Sequence, residues 1–215
     1  MTAAWTASHA RAAVTPLVLE LFTSQGCSSC PPADALLGEL SHRPGVIALA
    51  WHVDYWNSLG WRDPYASAAW TARQRSYARR LHEEVYTPAL IVNGTAMVIG
   101  SDKAAVRSAM QQAPMLPVEV ALHRTAGTAV ATVGALPEGA TILRVLYEQE
   151  GATRIGAGEN AGRRLREYRI VRDMVALPPS TGSLALNDIA PGLGVALLVE
   201  NGAGSLIGAA DLPPA

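Results

Sequence analysis

Apolar residues recur along this chain in two rhythms, and the rhythm changes part-way. Leu17, Val18, Leu19, Leu21 and Phe22 form a short run that predicts a buried strand. Ala35, Leu36, Leu37 and Leu40 follow at the spacing of one helix face. Residues 47–51 predict the next strand, and residues 65–84 a helix. Residues 89–92 and 96–99 predict a hairpin, because Asn93-Gly94 at or beside its turn is a strong hairpin signal. A helix over residues 102–112 closes this half. After Pro114 and Pro117 the helical spacing gives way to short apolar or alternating runs at residues 118–122, 129–133, 142–147, 165–171 and 195–199. Turn signals such as Pro137-Glu138-Gly139 and Pro191-Gly192 separate most of them, the pattern of an antiparallel sandwich or barrel of about 100 residues. The expected organisation is a tail over 1–13, an α/β domain over 14–115 and a mainly antiparallel, sandwich-like β domain over 116–215. The linker falls within 113–117.

A chain of 215 residues can bury a substantial core in one or two such domains. A formal net charge of −1 gives no electrostatic case for nucleic acid or an anionic membrane. No apolar stretch is long enough to span a bilayer. The first sixteen residues lack the apolar core of a full signal peptide, yet Ala10-Arg11-Ala12 resembles the small-x-small end of one. A truncated export signal is one expectation and an ordinary tail the other. An in-frame start with basic residues and an apolar run upstream in the genome would decide for export.

The chemistry concentrates at Cys27 and Cys30, the chain's two cysteines, placed between the first strand and the first helix. A C-x-x-C in that position is the arrangement of a redox dithiol. Disulfide exchange needs one thiolate open to attack and a second thiol to resolve the mixed disulfide. Cys27 is expected to be the exposed nucleophile and Cys30 the resolving thiol, with Ser28 and Ser29 as nearby donors. Pro31 and Pro32 fit only a first helical turn, so the helix is expected to start near Pro31. Two other readings stay open: half of a zinc site, which lacks a second cysteine pair, and a static disulfide, whose short loop stabilises little.

A strand, C-x-x-C, a helix, then Tyr86-Thr87-Pro88 leading into a hairpin and a final helix resembles the thioredoxin fold. The resemblance makes Cys27 and Cys30 the dithiol, Pro88 the cis-proline that faces it, and Thr87 the residue whose backbone holds a bound partner. It also suggests Glu20 as a buried carboxylate beneath the dithiol, taking the proton of Cys30; a solvent-facing glutamate at a strand end is the alternative. Eight of the twelve aromatic residues lie between Trp51 and Tyr86. Trp70 and Tyr77, two turns apart, are expected in the core. Trp56 and Trp61 sit near the C-terminal end of a strand, where open α/β sheets place a ligand crevice, and are candidate partner-binding residues. Arg73, Arg75, Arg79 and Arg80 read as a solvated helix face. The phrases LFTSQGCSSCPPAD, WHVDYWNSLGWRDPYA, YTPALIVNG and GENAGRRL, spread from Leu21 to Leu165, together resemble one bacterial family of thioredoxin-like, often secreted proteins labelled a domain of unknown function.

GAGENAGRRL is the unusual loop of the second half. Glu159, Asn160, Arg163 and Arg164 are polar and glycine-flanked, without the dinucleotide fingerprint. A solvent-exposed turn is the default. The alternative is a loop docking near Cys27, with a Glu–Arg pair across the contact.

The expected function is thiol–disulfide exchange on protein or small-molecule thiols and disulfides, in the periplasm or outside the cell, with a cytoplasmic site left open. It requires a partner that restores the pair, and no organic cofactor or metal. One rival is a Cu(I)-handling protein using Cys27, Cys30 and His52, since thiolates suit a soft ion. The other is a binding module that keeps the fold without catalysis.

Overall fold

The computed structural model describes residues 16–125 and 128–214. The tail over 1–13, with its export-signal reading, lies outside them. β1 (Leu17–Thr23) runs parallel to β2 (Val46–His52), with α1 (Pro31–Ser41) as the crossover. α2 (Ala68–Leu81) leads to the hairpin of β3 (Ala89–Val92) and β4 (Ala96–Ile99), and α3 (Lys103–Gln112) follows. β3 lies antiparallel to β1, with Phe22 opposite Ala89. The remaining strands are β5 (Val120–Thr125), β6 (Thr128–Val133), β7 (Thr141–Arg154), β8 (Arg164–Leu177), β9 (Gly182–Leu186), β10 (Leu193–Glu200) and β11 (Leu206–Leu212).

The two rhythms of the sequence meet in one sheet. Its strand order is β11-β10-β7-β8-β2-β1-β3-β4, and β8 joins β2 in parallel through Ala50 and Ile170. The antiparallel strands expected to form a sandwich of their own instead extend the sheet of the first half. Only β5, β6 and β9 form a separate three-stranded sheet. One face of the large sheet packs Val18, Phe22, Leu49, Trp51, Tyr147 and Leu198 beneath Trp70 and Tyr77 of α2. The opposite face carries Leu19, Leu21, Ala48 and Ala50 against Leu36 and Leu37 of α1. Beyond them the small sheet covers it, with Ala131 and Val133 against Ile142, Val195 and Leu197.

Local chemistry explains the element ends. Pro31 and Pro32 occupy the first positions of α1, where no intrahelical N–H is needed. Ser67 caps α2 by accepting from Ala69 N, and Asp102 caps α3 by accepting from Ala104 N and Ala105 N. The hairpin turn holds Asn93 and Gly94 at φ 44° and 69°, and a Cβ on Gly94 would stand 3.0 Å from that of Leu206. Asn93 also lengthens the pairing with β1, its Oδ1 accepting from Val18 N at 2.7 Å. Among the described residues no helix is long and apolar enough to cross a membrane.

Candidate functional site

β1 ends at Thr23, and the chain turns at once into the loop that carries the cysteines. Ser24 tightens that turn: its Oγ accepts from Gly26 N at 3.1 Å, and its carbonyl from Cys27 N at 3.1 Å. Cys27 and Cys30 are joined as a disulfide with Cα atoms 5.4 Å apart. Cys30 is the N-cap of α1, and its carbonyl accepts from Ala33 N and Asp34 N. The bridge therefore sits at the positive end of the α1 dipole, but Pro31 and Pro32 bring no N–H there and the amides of Ala33 and Asp34 are taken up by the Cys30 carbonyl. The Ser29 hydroxyl donates to Cys27 Sγ at 3.3 Å.

The exposed nucleophile expected at Cys27 is not what the fold presents. Cys27 and Cys30 are both 0 % exposed, although Ser28 and Ser29 between them face solvent. The loop between β7 and β8 docks on the backbone of the segment that carries them. Its Asn160 is also 0 % exposed and donates both amide hydrogens inward, to Gln25 O and Cys27 O at 2.9 Å each. Asn160 Oδ1 accepts from Arg163 Nη1 at 2.7 Å, and Ser28 N donates to Glu159 Oε2 at 3.1 Å. Hydrogen bonding from the Ser28 hydroxyl, and then from its backbone amide, holds the Glu159 carboxyl below its ordinary range. The GENAG loop thus docks on the dithiol loop rather than standing free as the default reading had it. Among the described residues no Glu–Arg pair makes the contact; Glu159 engages a backbone amide and Arg163 braces Asn160.

The other expected site residues divide. Thr87 and Pro88 enter β3 beside Thr23, where the dithiol loop leaves β1, and their peptide bond is cis. Trp56 joins the two segments: its Nε1 donates to Thr87 Oγ1 at 2.9 Å, and a Cβ on Gly26 would stand 2.9 Å from its own Cβ. Trp61 Nε1 donates to Gln25 Oε1 at 3.0 Å. Both tryptophans are half-buried in the walls of the site.

Glu20 lies elsewhere. Side chains alternate across a strand, so Glu20 shares the face of Val18 and Phe22, under α2, while α1 and the bridge belong to the other face. Its Oε2 accepts from Arg73 Nε at 2.6 Å, and its Oε1 from Arg73 Nη2 at 3.1 Å and from the Tyr77 hydroxyl. Arg73, expected on a solvated face, is 8 % exposed and also reaches Glu200 at 2.9 Å. Neither oxygen of Glu20 is free to serve Cys30.

The acids on the bridge's own face are ones the sequence did not single out. Asp34 lies one helical turn below Cys30 and is buried. His52 ends β2 beside Thr23, and its Nδ1 donates to Asp63 Oδ2 at 2.7 Å. Gln25 ties this group to the dithiol loop: its backbone N donates to Asp63 at 2.8 Å, and its Nε2 to Glu167 at 2.9 Å. Burial opposes charge on His52, yet Asp63, with Glu167 and Asp34 beyond it, prevails and pushes the imidazole up to about 9. Burial pushes Asp34 up to about 7 against the attraction of His52, and it raises Glu167 as well. Thr23 Oγ1, Asp34 Oδ1, His52 Nε2 and Glu167 Oε1 are buried without a hydrogen-bond partner among the described residues. The one signal for Asp34 in the sequence is its position four residues after Cys30.

In the copper reading the thiols are joined to each other, and His52 gives its Nδ1 to Asp63. Among the described residues no group of three or more histidine, cysteine, aspartate or glutamate side chains is placed to hold a metal ion.

Residues 18–192 match the family described as Protein of unknown function (DUF1223). A crystal structure of an Agrobacterium tumefaciens protein, solved as a structural genomics target, is similar to this chain with a TM-score of 0.75 and 30 % identity. The match covers 92 % of this chain and 93 % of that one. No curated protein matches the chain.

Proposed function

We propose that this chain, which belongs to the DUF1223 family of proteins of unknown function, is a thiol–disulfide oxidoreductase working outside the cytoplasm. The observation that carries the reading is the position of the bridge at the head of α1, with buried Asp34 one turn below it, on a loop that leaves β1 next to the strand entered by Thr87-Pro88. A loop of about four residues removes little unfolded-state entropy, ~2 kcal/mol in the chain-entropy model, which is a small return for a bridge beside so much buried charge. The order of strand, dithiol, helix, strand, helix and Thr-Pro hairpin supports a thioredoxin-like reading of the first half. The joined state of the cysteines suits an oxidising compartment.

In the proposed reaction a partner thiolate attacks Cys27 Sγ, and the Cys27–Cys30 bond breaks. Cys30 leaves as a thiolate at the positive end of the α1 dipole and takes the proton of Asp34, whose carboxyl burial favours the protonated form. A second partner thiolate then attacks the mixed disulfide and releases Cys27. The partner gains a disulfide and its two electrons reside on Cys27 and Cys30; solvent gives one proton to the Cys27 thiolate and one to Asp34, replacing the two that the partner thiols released on ionising. Thr87 and Pro88 border the approach, and Trp56 fixes Thr87.

A redox titration followed by tryptophan fluorescence tests this, with Trp56 and Trp61 as reporters. The expected couple is reversible and lies within the range of known exchange catalysts, roughly −270 to −120 mV. A couple far below −300 mV would make the bridge structural. The binding-module reading draws its support from the burial of both sulfurs. It predicts partner binding that survives the double variant Cys27→Ala, Cys30→Ala.

A further inference from the structure

An attacking thiolate must approach Cys27 Sγ in line with the bond it breaks, and no such approach exists while both cysteines are 0 % exposed. Something above the bridge has to move, and the candidates differ in how firmly they are held. β1 and α1 belong to the central core, with Leu19, Leu21, Leu36 and Leu37 packed together. The loop between β7 and β8 is of another kind. Across residues 156–164, Asn160 is the single buried residue, inserted as a plug from a loop that otherwise faces solvent or is half-covered.

The loop is bound more to itself than to its seat. Ile155 N donates to Arg163 O at 2.9 Å, Gly162 N to Ile155 O at 2.8 Å, and Ala161 N to Gly158 O at 3.1 Å. Gly158 and Gly162 take left-handed φ values of 74° and 81°, which lets the turn close on itself. Its hydrogen bonds to the dithiol loop are three: Asn160 to Gln25 O and to Cys27 O, and Ser28 N to Glu159. All three use the backbone of residues 25–28, so they hold the conformation of that loop. Trp61 and the Leu59 carbonyl add to the seat: Trp61 stands 3.2 and 3.3 Å from where Cβ atoms on Gly156 and Gly158 would be, and Leu59 O 3.4 Å from the latter.

We propose that the loop between β7 and β8 is a latch over the Cys27–Cys30 bridge, in which Asn160 and Glu159 are positioning residues that hold the dithiol loop shut. Release of these contacts admits the thiol partner. The role assigned to that partner rests on the exchange reading above; the closure itself does not. The latch also filters partners, since only a thiol that displaces Asn160 reaches sulfur.

Reduction of the bridge by dithiothreitol, followed by tryptophan fluorescence and by alkylation of the freed thiols, measures the latch directly. Asn160→Asp keeps the size and the acceptor for Arg163 but sets a carboxylate against two carbonyls. It is expected to speed reduction about tenfold or more. Glu159→Ala is expected to speed it about threefold with an unchanged urea midpoint, because Glu159 is exposed. Glu159→Gln, which keeps the acceptor for Ser28 N, is expected to return the rate toward the native value. Rates for Glu159→Ala and Asn160→Asp within twofold of native overturn the latch. Should Asn160→Asp not fold, the Glu159 pair decides alone. The reductant acts on this chain's own bridge, so a redox couple outside the range of exchange catalysts sinks the exchange reading and leaves the latch result standing.

Discussion

Replacing Arg73 by methionine is expected to lower stability by about 3–5 kcal/mol, the usual effect of removing one partner of a buried ion pair. The cost arises from what remains. Glu20 is 1 % exposed, and without the guanidinium its carboxylate keeps only the Tyr77 hydroxyl. Glu200 loses its 2.9 Å contact in the same change. The aromatic faces of Trp51 and Tyr77, each 5.1 Å from the guanidinium carbon, lose a cation and gain a flexible apolar chain, which offsets part of the loss. Burial raises Tyr77 well above its ordinary value, so its hydroxyl stays a donor throughout the accessible pH range. Urea unfolding reads the result as a midpoint lower by roughly 2 M. The double variant Glu20→Gln, Arg73→Met removes both charges and is expected to recover much of the loss. A single-variant loss under about 1 kcal/mol would show that Glu20 does not depend on Arg73.

Stability is expected to fall as pH rises from about 6.5 to 9, by about 3 kcal/mol from His52 alone. His52 titrates near 6.5 when unfolded and near 9 in its pocket. Its stabilising charge is fully present below the first value and is lost as pH rises through the second. Complete burial of the pair means that solvent screening does not reduce the effect. Asp34 acts in the same direction at lower pH. Its neutral form suits the buried site, so the native state loses ground as pH rises from near 3.8 toward 7. Asp63 acts oppositely: His52 holds it low, and its contribution disappears as pH falls below the ordinary carboxylate range. Taken together, these three groups favour the native state most at about pH 4, where Asp63 is ionised and Asp34 is still neutral. Urea midpoints measured across this range, with His52→Gln as the comparison, test it. A native midpoint that stays flat between pH 6.5 and 9 would remove His52 from the account.

Both predictions concern charge buried on one or the other face of the same sheet, and the division matters for the chemistry. The Glu20–Arg73–Tyr77 group fastens α2 and, through Glu200 of β10, the far part of the sheet. The His52–Asp63–Glu167 group links β2, the loop before α2, and β8 to Gln25 of the dithiol loop. Only the second group adjoins the bridge. Moving the bridge's loop disturbs Gln25 first, so the charge state of His52 and access to Cys27 are expected to influence each other.

The elements with strong local signals were legible in the chain itself. Asn93-Gly94 settled the hairpin, since few other pairs adopt two left-handed residues in succession. Apolar spacing and Pro31-Pro32 located the start of α1, and alternation found β5, β6, β7, β8 and β10. β9 and β11 were not found, because GSLAL and LIGAADL are glycine- and alanine-rich and their strand character comes from pairing with β6 and β10. The cysteine spacing named the bridge, for a short loop is a local constraint.

Everything that required two distant segments to meet was decided by the tertiary fold. A single parallel contact between Ala50 and Ile170 joins the halves into one sheet, and no local pattern encodes such a register. Alternation along β1 puts Glu20 with Val18 and Phe22, but only the placement of α1 and α2 reveals that this is the face away from the bridge. Asn160 reads as a turn residue until β7 and β8 carry it onto Gln25 and Cys27, more than a hundred residues earlier in the chain. Hydrogen bonds and burial act through space, so residue type announces the chemistry available, and packing determines which groups share it.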